Sequence, residues 1–486
     1  MDLSTYPFKT RPYAHQYTII ENSWARNDYA LHLEMGLGKS RIVIDNLAIL
    51  HAQGKLTHAI ILAPAGVYSN WLLEFDKHLP DTVPLALHLW KRLGTQKETD
   101  AFKSIVLEDT DSLRVLVMNI EALSTEKGQK AAEVFNKKIP GPSAIVIDES
   151  TAIKNPSARR TKAAIKLGKE ADYRRVLSGL PTPNSPLDLY APFSFLSGAN
   201  RHLLGYDNYY AFRSRYCIEK TMRMGSQRQF KSVVGYRRLD ELQGKVEQNA
   251  VRLKKTDCLD LPEKSYLQRS CELTSEQSKL YKSLKKEFLT EYEDQTVSPT
   301  IMITRLLRFQ QLVTGHITTD DGEVREVPSK RLKCLMELLQ EVSGKAVIWT
   351  NFRYCIKDIT KAIAEEYGND SVASYFGDTK QADRVEIVER FQDPNSDLRF
   401  FVGNPSTAGY GITLTAANLA IYYSRDFRLD NRLQSEDRIH RIGQTKGVSY
   451  VDLYTPDTID ERIVSALRSK LDLSAKVLGE KAAKWL

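Results

Sequence analysis

Short apolar runs recur along the chain, and stretches with apolar residues at helical spacing separate them. In the first half the runs occupy residues 29–33, 58–64, 113–118 and 144–147, and the second half has similar runs at residues 419–423 and 448–453. Continuous apolar runs between helical stretches are typical of buried parallel strands. The alternation of strand and helix therefore predicts an α/β protein whose ligands bind beyond the carboxyl ends of its strands.

The first run leads into a loop that ends in Gly36-Leu37-Gly38-Lys39-Ser40, and an apolar stretch of helical spacing follows at residues 41–50. The backbone N–H groups of such a loop and helix N-terminus point at one small volume that phosphate oxygens can occupy. In this interpretation Lys39 reaches the β- and γ-phosphates, and the Ser40 hydroxyl holds Mg²⁺. Leu33 stands where this pattern usually has glycine, so a helix entry without a ligand remains the alternative.

Two acids, Asp148 and Glu149, directly follow the apolar run at residues 144–147. At a strand end beside the phosphate loop, Asp148 can hold Mg²⁺ and Glu149 can orient or deprotonate the attacking water. A solvated turn is the alternative for two adjacent acids, but their combination with the upstream Gly-Lys-Ser favours a nucleotide site. Upstream of the loop, Gln16 can offer amide donors and an acceptor to an adenine edge, although it could also be a surface glutamine.

Composition narrows the class of protein. A chain of 486 residues suggests two to four domains, and 42% hydrophobic with 27% charged residues is ordinary for a globular protein. The five cysteines are odd in number and widely spaced, which speaks against a disulfide framework or a zinc site and predicts reduced thiols in an intracellular protein. No secretory signal and no run long enough to span a bilayer are found, so we expect no membrane partner.

The order of three segments resembles motifs I, II and III of superfamily-two helicases, and most of all those of the Swi/Snf-type ATPase family. These segments are Met35-Gly36-Leu37-Gly38-Lys39-Ser40, Asp148-Glu149-Ser150-Thr151 and Ser178-Gly179-Leu180-Pro181-Thr182-Pro183-Asn184. Residues 345–352, 406–414 and 434–444 are similar to the family's motifs IV, V and VI, and residues 251–255 followed by 261–264 resemble its linker. Residues 209–217 look like the HepA-related annealing helicases within that family.

This resemblance implies an α/β fold with two RecA-like parallel-sheet lobes in tandem and a mainly helical basic insertion between them. We expect the N-terminal lobe at residues 1–200, the insertion and linker at 201–265, and the C-terminal lobe with its terminal helix at 266–486. The implied cofactors are ATP and Mg²⁺. The residues predicted to bind the nucleotide are Gln16, Gly36, Leu37, Gly38, Lys39, Ser40, Gly411 and Gln434.

Two arginines of the motif VI segment, Arg438 and Arg441, stand three residues apart. On a helix this spacing would place both guanidinium groups on one face. The resemblance implies that the second lobe closes on the nucleotide, where such an arginine would stabilise the charge of the transition state. A charged, solvent-exposed helix is the alternative.

The insertion has a concentration of positive charge, with Glu219 as the single acid between residues 213 and 238. Basic side chains can neutralise phosphates and release counterions, and the overall net charge of +8 permits a polyanionic partner. A solvated basic loop is the alternative. The residues predicted to bind DNA are Arg213, Arg215, Arg223, Arg228, Lys231, Arg237 and Arg238.

Together these observations predict a monomeric, ATP- and Mg²⁺-dependent translocase that moves on double-stranded DNA and remodels junctions, forks or protein–DNA complexes. Two alternatives stay open, a strand-separating DNA or RNA helicase and a nucleotide-gated DNA clamp. No segment is identified as a strand-splitting pin. The expected location is the cytoplasm of a bacterium or of a virus-infected host cell rather than a nucleus. Ser150 and Thr151, and also Tyr410 and Thr413, depart from the family's motifs II and V.

Overall fold

The computed structural model describes residues 3–91, 95–108, 110–224, 228–293, 299–319, 321–408 and 411–480. The chain divides into two compact units. The first unit holds the chain up to Glu219, Val233–Asp260 and the segment that begins at Leu473. The second unit holds Lys220–Ser232 and Leu261–Asp472.

The part of the chain before residue 261 contains nine described strands. They are β1 (Asp28–Leu33), β2 (His58–Ala63), β3 (Leu85–Leu89), β4 (Leu113–Asn119), β5 (Ser143–Ile147), β6 (Tyr173–Leu177), β7 (Cys217–Met224), β8 (Arg228–Tyr236) and β9 (Ala250–Leu253). Its helices are α1 (Ala14–Ser23), α2 (Lys39–Ala52), α3 (Asn70–His78), α4 (Gln96–Leu107), α5 (Glu126–Lys138), α6 (Arg159–Gly168), α7 (Tyr190–Leu196), α8 (Tyr209–Tyr216) and α9 (Leu239–Glu247).

Seven of these strands form one parallel sheet in the order β3-β4-β2-β5-β6-β1-β9. Both faces of the sheet are covered, because Ala30 of β1 packs in one buried apolar cluster and Leu31 and Leu33 pack in the other. This explains why its strands are apolar throughout instead of alternating. The predicted strands at 29–33, 58–64, 113–118 and 144–147 are confirmed.

The chain after residue 261 contains a second parallel sheet in the order β10-β17-β16-β13-β15-β14, together with a short antiparallel pair, β11 and β12. The strands are β10 (Lys264–Ser270), β11 (His316–Thr318), β12 (Val324–Glu326), β13 (Lys345–Trp349), β14 (Val372–Tyr375), β15 (Phe400–Gly403), β16 (Ala417–Tyr422) and β17 (Val448–Tyr454). The helices are α10 (Ser275–Glu293), α11 (Pro299–Val313), α12 (Arg331–Gln340), α13 (Arg353–Tyr367), α14 (Gln381–Gln392), α15 (Pro405–Ala408), α16 (Leu429–Glu436) and α17 (Ile459–Val477). The prediction of an α/β protein with two parallel-sheet lobes is confirmed.

The basic insertion differs from its prediction. Between α8 and α9 the strands β7 and β8 pair as a two-stranded sheet, which we call the insertion sheet. The expectation of a mainly helical insertion is therefore wrong. Its strands contain Ile218, Thr221, Val233, Val234 and Tyr236, and β-branched and aromatic residues of this kind favour a pleated strand over a helix.

Among the described residues, no helix combines the length and apolar character that crossing a lipid bilayer requires.

Candidate nucleotide site and nucleic-acid interface

The phosphate loop connects β1 to α2, as the sequence predicts: β1 ends at Leu33 and α2 begins at Lys39. Gly36 and Gly38 have φ angles of 82° and 81°, a region that residues with a Cβ atom rarely adopt. A Cβ atom on Gly38 would also lie 2.2 Å from Nε2 of Gln16. Glycine at position 38 is thus required twice, by the backbone angle and by the close approach of a neighbouring side chain.

Two polar side chains contact the backbone of this loop. Lys39 Nζ donates a hydrogen bond to the carbonyl oxygen of Leu33 (3.0 Å), so the loop curls around its own lysine. Gln16 is 5% exposed; its Nε2 donates to the carbonyl oxygen of Leu37 (3.3 Å) and its Oε1 accepts from the backbone N–H of Tyr13 (3.1 Å). Gln16 therefore braces the loop, and adenine recognition by its amide stays a prediction.

The remaining predicted loop residues can act only in part through their side chains. Leu37 is fully buried, so only its backbone is available to a phosphate. Ser40 is half-buried in the first turn of α2, where unpaired backbone N–H groups and the helix dipole both favour an anion.

Asp148 follows β5 and is held by two donors. Its Oδ2 accepts from the indole Nε1 of Trp71 (3.1 Å), and its Oδ1 accepts from the backbone N–H of Glu149 (2.9 Å). Burial raises the pKa of Asp148, while the nearby positive charge of Lys39 and the two hydrogen bonds act in the opposite direction. Lys39 is thus near enough to act on this carboxylate electrostatically, in keeping with the positions of β1 and β5 on either side of β6.

Trp71 is a positioning residue that the sequence did not single out. It lies on α3 and is 2% exposed, so its indole N–H has few alternatives to the carboxylate of Asp148. No spacing rule links residue 71 to residue 148.

Glu149 has a left-handed backbone, with φ 48° and ψ 61°. This conformation is uncommon for residues other than glycine and is found mostly where surrounding structure enforces it, often at functional sites. Its side chain is half-buried. The backbone turn sends the chain from β5 directly into a 3-10 helix at Ser150–Ile153.

The loop after β6 lies between the other two, because β6 pairs with β1 on one side and β5 on the other. Ser178 donates its backbone N–H to Leu31 (3.1 Å), and its Oγ accepts from the N–H of Leu180 (3.2 Å). A Cβ atom on Gly179 would lie 3.1 Å from Cγ of Met35. The segment resembling motif III thus packs against the phosphate loop.

These residues fit ATP and Mg²⁺. The backbone of the loop and Lys39 would hold phosphates, and Ser40 with Asp148 would hold the cation. Mg²⁺ commonly uses one or two protein ligands and completes its shell with water and phosphate oxygens. Among the described residues no group of three or more His, Cys, Asp and Glu side chains is arranged to hold a metal ion by itself.

In the second unit, α16 ends at Glu436, so Arg438 and Arg441 lie in the turns that follow it. The expectation that a helix presents both on one face is wrong. They still converge: one guanidinium nitrogen of each donates to the carbonyl oxygen of Ile412, at 3.0 Å for Arg438 and 3.3 Å for Arg441. Arg441 also donates to Oγ1 of Thr413 (3.1 Å).

The other two residues predicted in this unit lie close to the arginines. Gly411 has a φ of 77° and directly precedes Ile412. Gln434 is 3% exposed and its backbone carbonyl accepts from Nε of Arg438 (3.0 Å). Its side-chain Oε1 is buried and has no hydrogen-bond partner within the described part of the chain, and nucleotide binding by Gln434 stays a prediction.

A buried ionic network anchors α16. Arg432 pairs with Glu436 at 2.7 Å and with Asp452 of β17 at 2.6 Å, and Arg425 lies 3.2 Å from the same carboxylate. Tyr266 donates its hydroxyl to Glu436 (2.9 Å). The short helix before the two arginines is thereby tied to strands that come from distant parts of the chain.

Three of the basic residues predicted to contact DNA have partners inside the protein. Arg213 pairs with Glu219 at 2.7 Å, and Nε of Arg215 donates to both oxygens of Glu241 at 3.2 and 3.3 Å. The hydrogen bond from Arg215 lowers the pKa of Glu241 to about 2, so this pair is ionised. Arg237 donates to two backbone carbonyls of α8 at 2.8 and 3.2 Å.

The other four predicted DNA residues are Arg223, Arg228, Lys231 and Arg238. Lys231 and Arg238 are exposed, and Arg238 has a left-handed φ of 58° at the start of α9. The side chains of Arg223 and Arg228 lie outside the described residues. Part of the basic charge of residues 213–238 is offset by two acids, Glu219 within this segment and Glu241 just after it.

Two domain profiles match this chain in succession. The SNF2-related domain matches residues 26–317, more than half of the chain, and the helicase conserved C-terminal domain matches residues 330–443. The chain belongs to the SNF2-related family. Membership in the SNF2-related family confirms the resemblance expected from the motifs, and with it the prediction of a helicase-like enzyme that hydrolyses ATP.

Two curated relatives and one solved structure illustrate the relationship of this SNF2-family chain. It is 25% identical over 465 residues to the SWI/SNF chromatin-remodeling complex subunit snf22 of Schizosaccharomyces pombe, covering 92% of the chain and 26% of snf22. It is 24% identical over 543 residues to the ATP-dependent helicase fft3 of the same organism, covering 95% of the chain and 56% of fft3. The Sulfolobus solfataricus SWI2/SNF2 ATPase core in complex with dsDNA aligns at 26% identity and a TM-score of 0.42, covering 97% of this chain and 94% of that one.

Proposed function

We propose that this SNF2-family chain is an ATP- and Mg²⁺-dependent translocase that moves on double-stranded DNA and remodels junctions, forks or protein–DNA complexes. The observation that supports it most is the electrostatic effect of Lys39 on Asp148, two residues that follow β1 and β5 at the same edge of the first sheet with only β6 between those strands. A lysine and an acid at these strand ends, with a glutamate next to the acid, match the requirements of phosphoryl transfer to water. DNA as the partner rests on family membership and on the basic insertion.

In the proposed reaction each group has one role. The loop backbone and Lys39 bind the phosphates, and Ser40 with Asp148 holds Mg²⁺, which supplies charge neutralisation when bound. Glu149 orients or deprotonates water. We propose that Arg438 and Arg441 stabilise transition-state charge when the second lobe closes, as the family resemblance implies. We also propose that the chain acts as a monomer inside the cell, in keeping with its five free cysteines.

Two measurements test this function. ATP hydrolysis is followed with single-stranded, duplex, forked and four-way DNA, and with RNA as a control. Displacement of a third strand from duplex DNA then reports movement along the duplex. We expect duplex-containing DNA to stimulate hydrolysis and ATP to drive displacement; hydrolysis without displacement would identify a clamp instead.

A strand-separating helicase is the second candidate, and the insertion sheet favours it. A pair of β-strands between helices α8 and α9 is an element of the kind that could divide two DNA strands, and the sequence by itself did not identify one. Unwinding of a forked duplex that lacks a third strand tests this candidate. If the insertion sheet separates strands, its shortening should abolish unwinding while triplex displacement continues.

The proposed DNA interface is tested with a triple variant in which Arg223, Arg228 and Lys231 are each changed to Ser. Arg237 is kept, because its hydrogen bonds to α8 support the fold of the insertion. We expect weaker DNA affinity and a slope of log affinity against log salt that is smaller by about one unit per lost phosphate contact. A triple Ser variant of Lys97, Lys103 and Lys169, which are exposed elsewhere, controls for the change in net charge. Equal salt slopes in both variants would move the interface away from the insertion.

A further inference from the structure

The C-terminal segment from Leu473 to Glu480 belongs to the first unit, although it lies far from that unit in sequence. Val477 is fully buried in the core on one face of the first sheet. The hydroxyl groups of Thr182 and Ser474 are hydrogen-bonded at 2.8 Å, and both side chains are buried. The segment is therefore an integral part of the lobe that carries the phosphate loop.

The chain turns back at the end of α17, and this turn positions Glu480. Gly479 has a φ of 67°, its N–H donates to Lys476 (3.4 Å), and the N–H of Glu480 donates to Ala475 (2.8 Å). This pair of bonds is the Schellman closure of a helix, which turns the chain back sharply. A Cβ atom on Gly479 would lie 2.1 Å from Nε2 of Gln243, so the turn has no space for a larger residue.

The carboxylate of Glu480 contacts two cations of the segment after α9. Nε of Arg252 donates to its Oε1 at 2.5 Å, and Nζ of Lys254 lies 3.0 Å from its Oε2. The Arg252 and Glu480 side chains are only 18% and 15% exposed. In such surroundings the pair is weakly screened, and an arginine without its acid would be costly.

The same Arg252 guanidinium reaches both loops of the nucleotide site. Its Nη1 donates to the carbonyl oxygens of His32 (3.1 Å) and Gly179 (3.0 Å), and its Nη2 lies 3.7 Å from Oε1 of Glu34. His32 and Glu34 flank the end of β1 at the phosphate loop, and Gly179 belongs to the loop after β6. One side chain thus ties the phosphate loop, the motif III loop and the C-terminal segment together.

We propose that Arg252 and Glu480 are positioning residues for ATP hydrolysis. Arg252 holds the phosphate loop and the Gly179 loop at a fixed separation, and Glu480 holds the guanidinium in the orientation that serves both carbonyls. The inference rests on the nucleotide site of the proposed function. It predicts that the C-terminal segment affects turnover without touching the nucleotide.

The test uses the full chain carrying Glu480→Gln, Glu480→Asp or Arg252→Lys, with saturating duplex DNA. Glu461→Gln is the matched control, because Glu461 is an exposed acid at the other end of α17. kcat, KM for ATP, binding of a fluorescent ATP analogue and the unfolding temperature are measured for each. Each kcat is calculated per molecule that binds the analogue, so that unfolded protein does not lower it.

We expect Glu480→Gln to lower kcat about fivefold while analogue affinity changes less than about twofold, as for groups that act in the transition state. Arg252→Lys should behave similarly, since an ammonium group cannot reproduce the planar fork that serves two carbonyls. The double variant should be no slower than either single one, because both changes disrupt one unit. Glu480→Asp, which keeps the charge, should recover most of the turnover.

The outcomes separate this inference from the proposed function. A wild-type kcat in Glu480→Gln overturns the inference and leaves the ATPase site intact. The inference is also overturned if Glu480→Gln lowers the unfolding temperature together with kcat and Glu480→Asp recovers neither, because the contact would then be merely structural. Absence of ATP hydrolysis in the wild-type chain would instead overturn the proposed function.

Discussion

The two lobes hold their chemistry-bearing side chains in different ways. In the first lobe the backbone conformation positions these side chains: Gly36 and Gly38 have positive φ angles, Glu149 is left-handed, and α2 begins at Lys39. In the second lobe ion pairs between side chains position Arg438, because it follows a short helix that is anchored by a buried network around Asp452.

The difference reflects the two kinds of group that the lobes must position, backbone N–H donors in the first and arginine side chains in the second. A phosphate site needs many N–H donors close to one point, and only backbone can supply them at that density. An arginine that acts in the transition state has a long side chain, so its base must be fixed by packing and ion pairs. The first lobe is therefore expected to be sensitive to glycine replacement, and the second to loss of buried charge.

The largest expected effect contrasts the two lobes directly. Lys39→Ala and Arg441→Ala should each reduce ATP turnover by about 100-fold or more, because each removes a positive charge from the transition state. Lys39→Ala should also lose nucleotide affinity, whereas Arg441→Ala should keep it. Equilibrium binding of a fluorescent ATP analogue distinguishes them. Near-normal turnover of Arg441→Ala would remove the arginine from the catalytic group.

The second prediction concerns the buried network. Asp452→Asn removes the charge that faces Arg432 and Arg425 and leaves two guanidinium groups less compensated in the interior. We expect the second lobe to lose about 3 kcal/mol of unfolding free energy, the usual cost of breaking a buried ion pair. Hydrogen exchange of peptides from each lobe locates the loss. Asp457→Asn makes the same chemical change at an exposed position outside the network and should have little effect.

The third prediction tests the role of Glu149. Glu149→Gln keeps the shape and hydrogen-bonding capacity of the side chain but removes the charge that a base needs. Turnover should fall by about tenfold or more, a typical contribution of general-base catalysis, while ATP and DNA still bind. Failure to bind ATP would show that this carboxylate is a metal ligand or a structural group.

A smaller effect on stability is expected from pH. Burial lowers the pKa of His58 from 6.5 to about 4, so the folded first lobe keeps the imidazole neutral while the unfolded chain binds a proton. Stability from this residue is complete above pH 6.5 and is lost as the pH falls towards 4. At pH 5.5 the loss should be about 1 kcal/mol.

His58→Gln should remove that part of the pH dependence. Urea unfolding at pH 7.5 and pH 5.5 measures it, with exchange of first-lobe peptides as the readout. His316→Gln is the counterpart in the second lobe, because burial lowers its pKa to about 4 as well. An unchanged pH dependence in both variants would assign acid sensitivity to other groups.

The smallest expected effect comes from Trp71→Phe, which removes one hydrogen bond to Asp148 and keeps an aromatic ring in the core. A net loss of about 0.7 kcal/mol, within the usual range for one intramolecular hydrogen bond, corresponds to a reduction of turnover by about threefold. Trp24→Phe controls for loss of an indole, because Trp24 is only partly buried and stacks near Lys55. A threefold loss that higher Mg²⁺ restores would show that the tryptophan orients a metal ligand.

The sequence by itself determined the local parts of this protein. Apolar runs predicted the strands, because a parallel strand buried on both faces must be apolar throughout. Gly38 and Lys39 predicted the loop, because the geometry of a strand, a tight turn and a helix start is set within a few residues. The family resemblance supplied two lobes and the segment of Arg438 and Arg441.

The tertiary structure decided which distant residues support those parts. Trp71 meets Asp148, Arg432 meets Asp452, and Arg252 meets Glu480, a pair separated by 228 positions. The helix α16 also ends before the two arginines, which are brought together because both donate to the carbonyl oxygen of Ile412. Such contacts depend on strand order and on the path of the chain between sheets, and no periodicity within a short window carries that information.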